Sequence, residues 1–177
     1  MRTETIDEVY ERNAAIGERL KMLVASLPSE KLDLLPEGEE WTICNIVEHI
    51  SIVESSIVKI CAKLLGKAEA EGKLADGAIS VSDAFGQKAL EIATTKLEAP
   101  DFVKPTNEIK VEDSLSVCDQ NLQKLDEIKP LFEKFDSNTH KFPHPYFGDL
   151  SAGEWLNLLG GHKMRHIKQI ERLAEGI

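Results

Sequence analysis

The sequence contains few of the features that mark secreted and membrane-spanning proteins. Its three cysteines, Cys44, Cys61 and Cys118, are an odd number without a closely spaced motif. They predict no disulfide framework and are interpreted as buried apolar residues of a protein in the reducing cytoplasm. No apolar segment with a cleavage-type site follows the N-terminus, so no signal peptide is predicted. The best candidate for a membrane span, residues 43–65, is interrupted by four charged residues and predicts no transmembrane helix.

Basic residues are scarce relative to acidic ones. The chain has 21 Lys and Arg against 31 Asp and Glu, which gives a formal net charge of -10. A protein that binds phosphate backbones needs clustered basic residues, because counterion release supplies most of the affinity. The sequence therefore predicts no nucleic-acid partner. Four basic residues near the C-terminus are spaced as a solvated helix face: Lys163, Arg165, Lys168 and Arg172.

Hydrophobic residues make up 42% of the 177 residues, which is typical of a globular protein with one core, so we predict a single domain over residues 1–177. Apolar residues recur at spacings of three and four nearly throughout, which predicts an all-α protein. Four long helices, with a shorter one between the second and third, indicate an up-and-down type four-helix bundle with a crossover connection. The predicted helices cover residues 6–27, 42–65, 82–97, 111–135 and 151–174.

Particular residues predict where some of these helices begin or break. Thr42 is a good N-cap for the second helix, and Ser151 with Glu154 forms a capping box at the start of the last one. Pro130 lies inside the fourth predicted helix and is expected to kink or split it. Residues 136–150, which are rich in Pro and Gly, are predicted to form a long loop before the last helix.

Histidines carry the clearest chemical signal. His162 and His166 stand at positions i and i+4 of the last helix, so their side chains share one face, roughly 6 Å apart along the axis. Two imidazoles at this spacing bind one ion without distorting the helix, but a third ligand must come from elsewhere. His49 is the natural donor, because it lies in the apolar stripe of the second helix, where an unpaired imidazole would be costly.

The same spacing also fits a simpler interpretation. Two helical histidines often form only a partly buried polar edge, and a single buried histidine is more often a core residue than a ligand. The sequence from His162 to His166 lacks the Glu directly after the first His that is the base of zincin proteases, so a protease is not expected. His140 and His144, in the predicted loop, are interpreted as a pocket lid or an extra ligand, or else as surface histidines.

Two motifs resemble those of a known family. Trp41 is followed eight residues later by His49 on the second helix, and the segment from His144 to Trp155, HPYFGDLSAGEW, is followed by HKMRHIKQI at residues 162–170. Both are similar to motifs of the DinB/YfiT-like superfamily of metal-binding four-helix bundles. The helices between the two motifs have the lengths expected for that family.

The resemblance implies metal ligation by His49, His162 and His166. It also implies a divalent metal ion, with zinc or nickel favoured, one or more open coordination positions for water or substrate, and pairing into homodimers. Many members have an acidic residue three positions after the first histidine, where this chain has Ile52. Glu48 and Glu54 are expected to point away from the direction of His49, so the catalytic residues, including any general base, remain unknown from the sequence.

Three polar residues are expected near the histidines. Asn45 and Ser56 fall one and two turns from His49 on the same side of the helix, and Gln169 follows His166 by three residues. Each is interpreted as a pocket residue or as a partner that fixes an imidazole tautomer. The alternative is an ordinary polar residue at a seam of the bundle.

Members of the resembling superfamily include thiol-dependent transferases and isomerases, and others are described as metal-dependent hydrolases. We therefore expect a metal-dependent enzyme, an S-transferase or a hydrolase, acting on a small molecule at an open three-histidine site. A low-molecular-weight thiol is an expected partner. The alternative is a non-catalytic, metal-stabilised or ligand-binding dimeric bundle. Because structural metal sites are usually closed by four protein ligands, the missing fourth ligand favours the open site.

Overall fold

The computed structural model describes residues 2–93, 95 and 97–176. Within these residues, six α-helices and two small antiparallel sheets follow one another along the chain, with a 3-10 turn at Asp101–Val103. The helices are α1 (Ile6–Ser26), α2 (Ser29–Leu32), α3 (Ile43–Ala70), α4 (Asp83–Ala93), α5 (Val111–Lys134) and α6 (Ala152–Gly176). The strands are β1 (Arg2–Thr5), β2 (Ala78–Val81), β3 (Lys141–His144) and β4 (Gly148–Ser151).

The four long helices α1, α3, α5 and α6 form the four-helix bundle that the sequence predicts. Helix α3 packs against both α5 and α6, and α1 packs on α6. Every residue from Ile43 to Ser51 is buried, which is typical of a helix enclosed by its neighbours rather than packed along one stripe. His49 belongs to this enclosed stretch of α3.

The predicted caps are present. The hydroxyl of Thr42 accepts a hydrogen bond from the backbone N–H of Asn45, and the Asn45 side chain accepts one from the N–H of Thr42 in return. At α6 the hydroxyl of Ser151 accepts from the N–H of Glu154 at 3.2 Å, and the Glu154 carboxylate accepts from the N–H of Ser151 at 3.1 Å. These reciprocal bonds satisfy N–H groups that a helix start leaves unpaired.

The prediction that residues 136–150 form a loop is wrong in part, because β3 and β4 make an antiparallel hairpin there. The sequence analysis also missed the second sheet, in which Arg2 of β1 pairs with Val81 of β2. All four strands are four residues long, too short for a clear alternating pattern. The pairing of β1 with β2 joins distant parts of the chain, so local sequence carries no signal for it.

Some predicted helix limits also need correction. Helix α3 continues past Leu65 to Ala70, and α4 ends at Ala93 rather than Leu97; residues 94 and 96 lie outside the described residues. Helix α5 is not split at Pro130. Pro130 is exposed, so the carbonyl that loses its helical partner there is on the water-facing side, where solvent satisfies it.

The three cysteines are free and buried, as predicted. No helix among the described residues is both long and apolar enough to cross a bilayer.

Candidate metal centre

Three imidazoles from two helices meet in the interface between α3 and α6. The Nε2 atom of His162 lies 3.1 Å from Nε2 of His49 and 3.2 Å from Nε2 of His166. One ligand atom from each of the three residues lies within 4.8 Å of the other two. His49 and His166 are buried, whereas His162 is partly exposed. His162 is therefore the member of the cluster that lies nearest to solvent.

The helix geometry explains this convergence. His162 and His166 are one turn apart on α6, so their rings are neighbours, with centroids 4.5 Å apart. Packing of α3 on α6 brings the ring of His49 to 5.0 Å from that of His162 and 4.9 Å from that of His166. The ring of Trp41 lies 4.8 Å from His49 and forms an apolar wall beside it.

Hydrogen bonds at the far side of two rings fix where their protons lie. Nδ1 of His49 donates to the carbonyl oxygen of Val103 at 2.7 Å, and Nδ1 of His166 donates to Oε1 of Gln169 at 2.8 Å. A carbonyl oxygen can only accept, so these partners assign the Nδ1–H tautomer to both neutral rings. The Nε2 lone pairs of His49 and His166 therefore both face the centre of the cluster.

Burial keeps the imidazoles neutral near pH 7. Desolvation lowers the pKa of His49, and it lowers the pKa of His166 to about 3, with the neighbouring His49 adding to the effect. The pKa of His162 also lies well below 6.5, first because of burial and then because of His166 and His49. Neutral imidazole is the form that binds a metal ion.

The donor set fits a divalent cation. Ligands at 2.0–2.1 Å from a tetrahedral ion lie about 3.3 Å apart, close to the 3.1 and 3.2 Å observed here. One proton on Nε2 of His162 can satisfy only one of the two facing lone pairs, whereas a cation at the centre is attracted by all three nitrogens. Nδ1 of His162 is buried and has no hydrogen-bond partner among the described residues.

Comparison with known proteins supports the assignment of the fold to one family. The sequence profile of the DinB superfamily matches residues 14–170. This chain belongs to the DinB superfamily. Protein YuaE of Bacillus subtilis (strain 168), described as uncharacterized, is 25% identical over 158 residues, which cover 85% of this chain and 88% of YuaE. The crystal structure of TT2238, described as a four-helix bundle protein, matches 95% of this chain with a TM-score of 0.62 at 23% identity and 99% coverage of TT2238.

The other predicted site residues of this DinB-superfamily chain have different surroundings. Gln169 contacts His166 as described above. The side chain of Asn45 forms the cap of α3 with Thr42, and the hydroxyl of Ser56 donates to the backbone oxygen of Ile52 at 3.1 Å. These hydrogen bonds direct Asn45 and Ser56 to their own helix.

Neither glutamate near His49 has a free carboxylate. Glu54 lies 2.5 Å from the ammonium nitrogen of Lys163. Glu48 accepts hydrogen bonds from the N–H and hydroxyl of Thr106 at 2.8 and 2.7 Å and from the N–H of Asn107 at 3.3 Å. Both carboxylates point away from the three imidazoles, in agreement with the helix geometry, and no Cys, Asp or Glu of the described chain joins the histidine cluster.

The two remaining histidines differ from each other. Nε2 of His140 lies 3.1 Å from the carboxylate of Glu71, away from the cluster. His144 is half-buried against the ring of Trp155, 5.1 Å between centroids, and its Nδ1 accepts hydrogen bonds from two backbone N–H groups of the β3–β4 turn. Burial lowers the pKa of His144 to about 4. A positive charge on His144 would lower the pKa of His162. His144 is therefore close to the three-histidine cluster, although it is not one of its members.

The segment that contacts His49 was not recognised from the sequence. Val103, within residues 101–107, supplies the carbonyl that fixes the His49 tautomer. Backbone acceptors carry no residue-type signal, so no motif search finds them. The one available signal was the Glu directly before His49, a charged residue in an apolar stripe that needs a buried partner.

Proposed function

We propose that this protein is a metal-dependent enzyme that acts on a small molecule at the three-histidine site, as a thiol-dependent S-transferase or as a hydrolase. The observation that carries the proposal is the convergence of three neutral imidazole nitrogens from α3 and α6, one of them on the partly exposed His162. The ligands would be His49, His162 and His166. A divalent ion held there would lower the pKa of bound water or of a coordinated thiol and polarise a substrate oxygen or sulfur.

The protein's own groups prepare this site before any ligand binds. The Val103 carbonyl and the Gln169 amide oxygen keep the Nδ1 protons of His49 and His166 on the outer side of the cluster. Preset tautomers of this kind raise the basicity of ligand nitrogens and fix the ring orientation. The indole of Trp41 excludes water from one side of His49. Substrate would approach beside His162, the partly exposed member of the cluster.

A purely structural metal is the competing function. Structural sites are usually closed by four protein ligands, whereas the described residues of this chain supply three candidate ligands. We therefore favour an open coordination position, which a low-molecular-weight thiol or a water molecule would occupy.

The first experiment is metal analysis by mass spectrometry on protein purified without a nickel column. We expect near-stoichiometric metal in the parent and loss of it in His162→Ala, with the helical fold intact by circular dichroism. His140→Ala is the matched control, because that histidine lies outside the cluster, and it should keep the metal. A parent that is metal-free and takes up no added zinc or nickel would overturn the proposal.

The second experiment is a substrate screen with the metal-loaded protein. Mixtures of thiols with electrophiles, and simple esters and amides, are assayed with and without a chelator. Chelator-sensitive turnover that is absent in His162→Ala is expected. A protein that binds metal stoichiometrically, unfolds when chelated and turns over none of these compounds would instead indicate a structural metal.

A further inference from the structure

Two adjacent residues of α3 contact the same short segment of the chain. His49 donates to the carbonyl oxygen of Val103 at 2.7 Å, while Glu48 accepts from Thr106 and Asn107. We call residues 101–107 the capping segment. It begins with the 3-10 turn and contacts the Nδ1 edge of the His49 ring, opposite the Nε2 atom that faces His162.

The Glu48 contact is strong and buried. Its side chain is 1% exposed, so an unpaired carboxylate would be very costly there. Three donors satisfy it, two from Thr106 and one from the backbone of Asn107. Hydrogen bonds to an ionised acceptor are about twice as strong as neutral ones. Asn107 has a positive φ of 65°, an uncommon conformation for a residue other than glycine.

Among the described residues, the capping segment forms few other hydrogen bonds with α3. Its 3-10 turn is closed by bonds within the segment and from Pro100, such as the N–H of Val103 to the carbonyl of Pro100 at 3.0 Å. The ion pair between Lys104 and Asp101 is exposed and contributes little. Apart from the burial of Val103, the Glu48 contact is therefore the main described interaction that sets how far the Val103 carbonyl lies from His49.

We propose that Glu48 is a positioning residue for the metal centre: by binding Thr106 and Asn107 it keeps the Val103 carbonyl against Nδ1 of His49 and so keeps the Nε2 lone pair of His49 directed at His162 and His166. Its consequence for metal binding rests on the proposed function, whereas its effect on the His49 tautomer does not. Glu48 is not a general base, because its carboxylate is occupied by Thr106 and Asn107 and is turned by about 100° around the helix from His49.

The test measures the His49 tautomer directly. Long-range proton–nitrogen NMR correlations of the imidazole rings are recorded on metal-free protein at a pH near 8, where the rings are neutral. The parent should show His49 as a single Nδ1–H tautomer. In Glu48→Ala the Val103 carbonyl is released, and we expect a mixture of tautomers. Glu48→Gln keeps an oxygen that accepts from both Thr106 groups and should restore the parental spectrum.

Glu154→Ala is the matched control. Glu154 is 4% exposed and its carboxylate also accepts from a backbone N–H and a hydroxyl, those of Ser82, but it lies away from His49. This variant should lose stability and leave the His49 tautomer unchanged. If Glu48→Ala does not fold, Thr106→Val, which removes only the hydroxyl donor, takes its place and should give a partial shift of the tautomer.

A second readout is zinc affinity, measured by competition with a chelating dye. Loss of such an outer partner weakens metal binding by about 10–100-fold, so this loss is expected in Glu48→Ala, while Glu48→Gln and Glu154→Ala stay near the parent. The proposal is overturned if folded Glu48→Ala keeps a pure Nδ1–H tautomer, or if Glu154→Ala shifts the tautomer equally. A parent that binds no zinc would refute the proposed function, and the tautomer comparison would still decide the role of Glu48.

Discussion

Two polar clusters lie in the bundle core between α3 and α6, and they differ in how their polar groups are satisfied. In one, His49, His162 and His166 direct uncharged nitrogens at a shared centre. In the other, the charges of Glu54 and Lys163 lie 2.5 Å apart with 3% and 5% of their side chains exposed. In the ion pair the two opposite charges compensate each other, whereas the histidine cluster leaves lone pairs that a cation could bind.

The two clusters differ although one residue of each lies on the same turn of α6. His162 and Lys163 are consecutive residues, and a step of one residue on a helix turns the side chain by about 100°. The histidine faces the partly exposed side of the interface and the lysine faces the interior. Burial raises the pKa of the Glu54 carboxyl, and the ammonium group of Lys163 opposes that rise. The buried carboxylate of Glu54 is therefore compensated by a cation of the chain itself, whereas the three imidazoles converge on one another.

Breaking the ion pair should have the largest effect. Lys163→Met leaves the Glu54 carboxylate buried without its cation, and we expect the free energy of unfolding to fall by about 3–5 kcal/mol in urea denaturation. The double variant Lys163→Met with Glu54→Leu should recover most of this, since an apolar pair of similar volume is often as stable as a buried ion pair. If the free energy of unfolding of Lys163→Met lies within about 1 kcal/mol of the parent value, the loss is too small for a broken buried ion pair. That result would show that the pair is unimportant for stability.

The pH dependence of the free energy of unfolding should reveal the contribution of the buried, neutral histidine cluster to stability. The pKa of His166 is about 3 in the folded protein against an ordinary value of 6.5, so the unfolded chain binds more protons between these values. The resulting stability is fully present above pH 6.5 and is lost as the pH falls toward 3. For His166 alone, the metal-free protein should lose about 2 kcal/mol between pH 7 and pH 5. His166→Gln should remove that part of the slope; equal slopes in parent and variant would contradict the buried neutral state.

Loss of the Gln169 contact should weaken the histidine cluster without disturbing the ion pair. Gln169→Leu removes the acceptor that fixes the His166 tautomer, and we expect zinc affinity to fall about tenfold with little change in metal-free stability. Gln123→Leu, at an exposed position of α5, is the control and should bind zinc like the parent. A Gln169→Leu variant with parental zinc affinity would show that this contact does not tune the site.

The smallest effect should come from the two glycines that precede His162. A β-carbon at Gly160 would collide with the side-chain oxygen of Asn13, whereas one at Gly161 would meet nothing. Gly161→Ala should therefore stabilise the protein by about 1 kcal/mol, the usual helix preference of Ala over Gly, while Gly160→Ala should destabilise it by pushing α6 from α1. Thermal unfolding of both variants gives the comparison. Equal shifts of the same sign would mean that the approach of α1 to α6 is not tight.

Much of the bundle and two of the three clustered histidines could be predicted from local patterns. The 3.6-residue period placed the four long helices, the Ser151–Glu154 pair placed the start of α6, and the i, i+4 spacing placed His162 beside His166. These are properties of one helix or one turn. The third histidine was a weaker inference from spacing alone, because a buried His49 with a satisfied partner would look the same in the sequence.

The sequence by itself therefore determined features that belong to a single helix. These are which residues face inward, where the helix begins, and which two imidazoles are adjacent. Only the tertiary structure decided that Glu48 binds the capping segment, that Glu54 pairs with Lys163, that Gly160 and Gly161 differ, and that the Val103 carbonyl sets the His49 tautomer. Each of these joins residues that are far apart in the chain. Such contacts depend on how helices pack and where backbone groups come to lie, and neither leaves a local pattern of residue types.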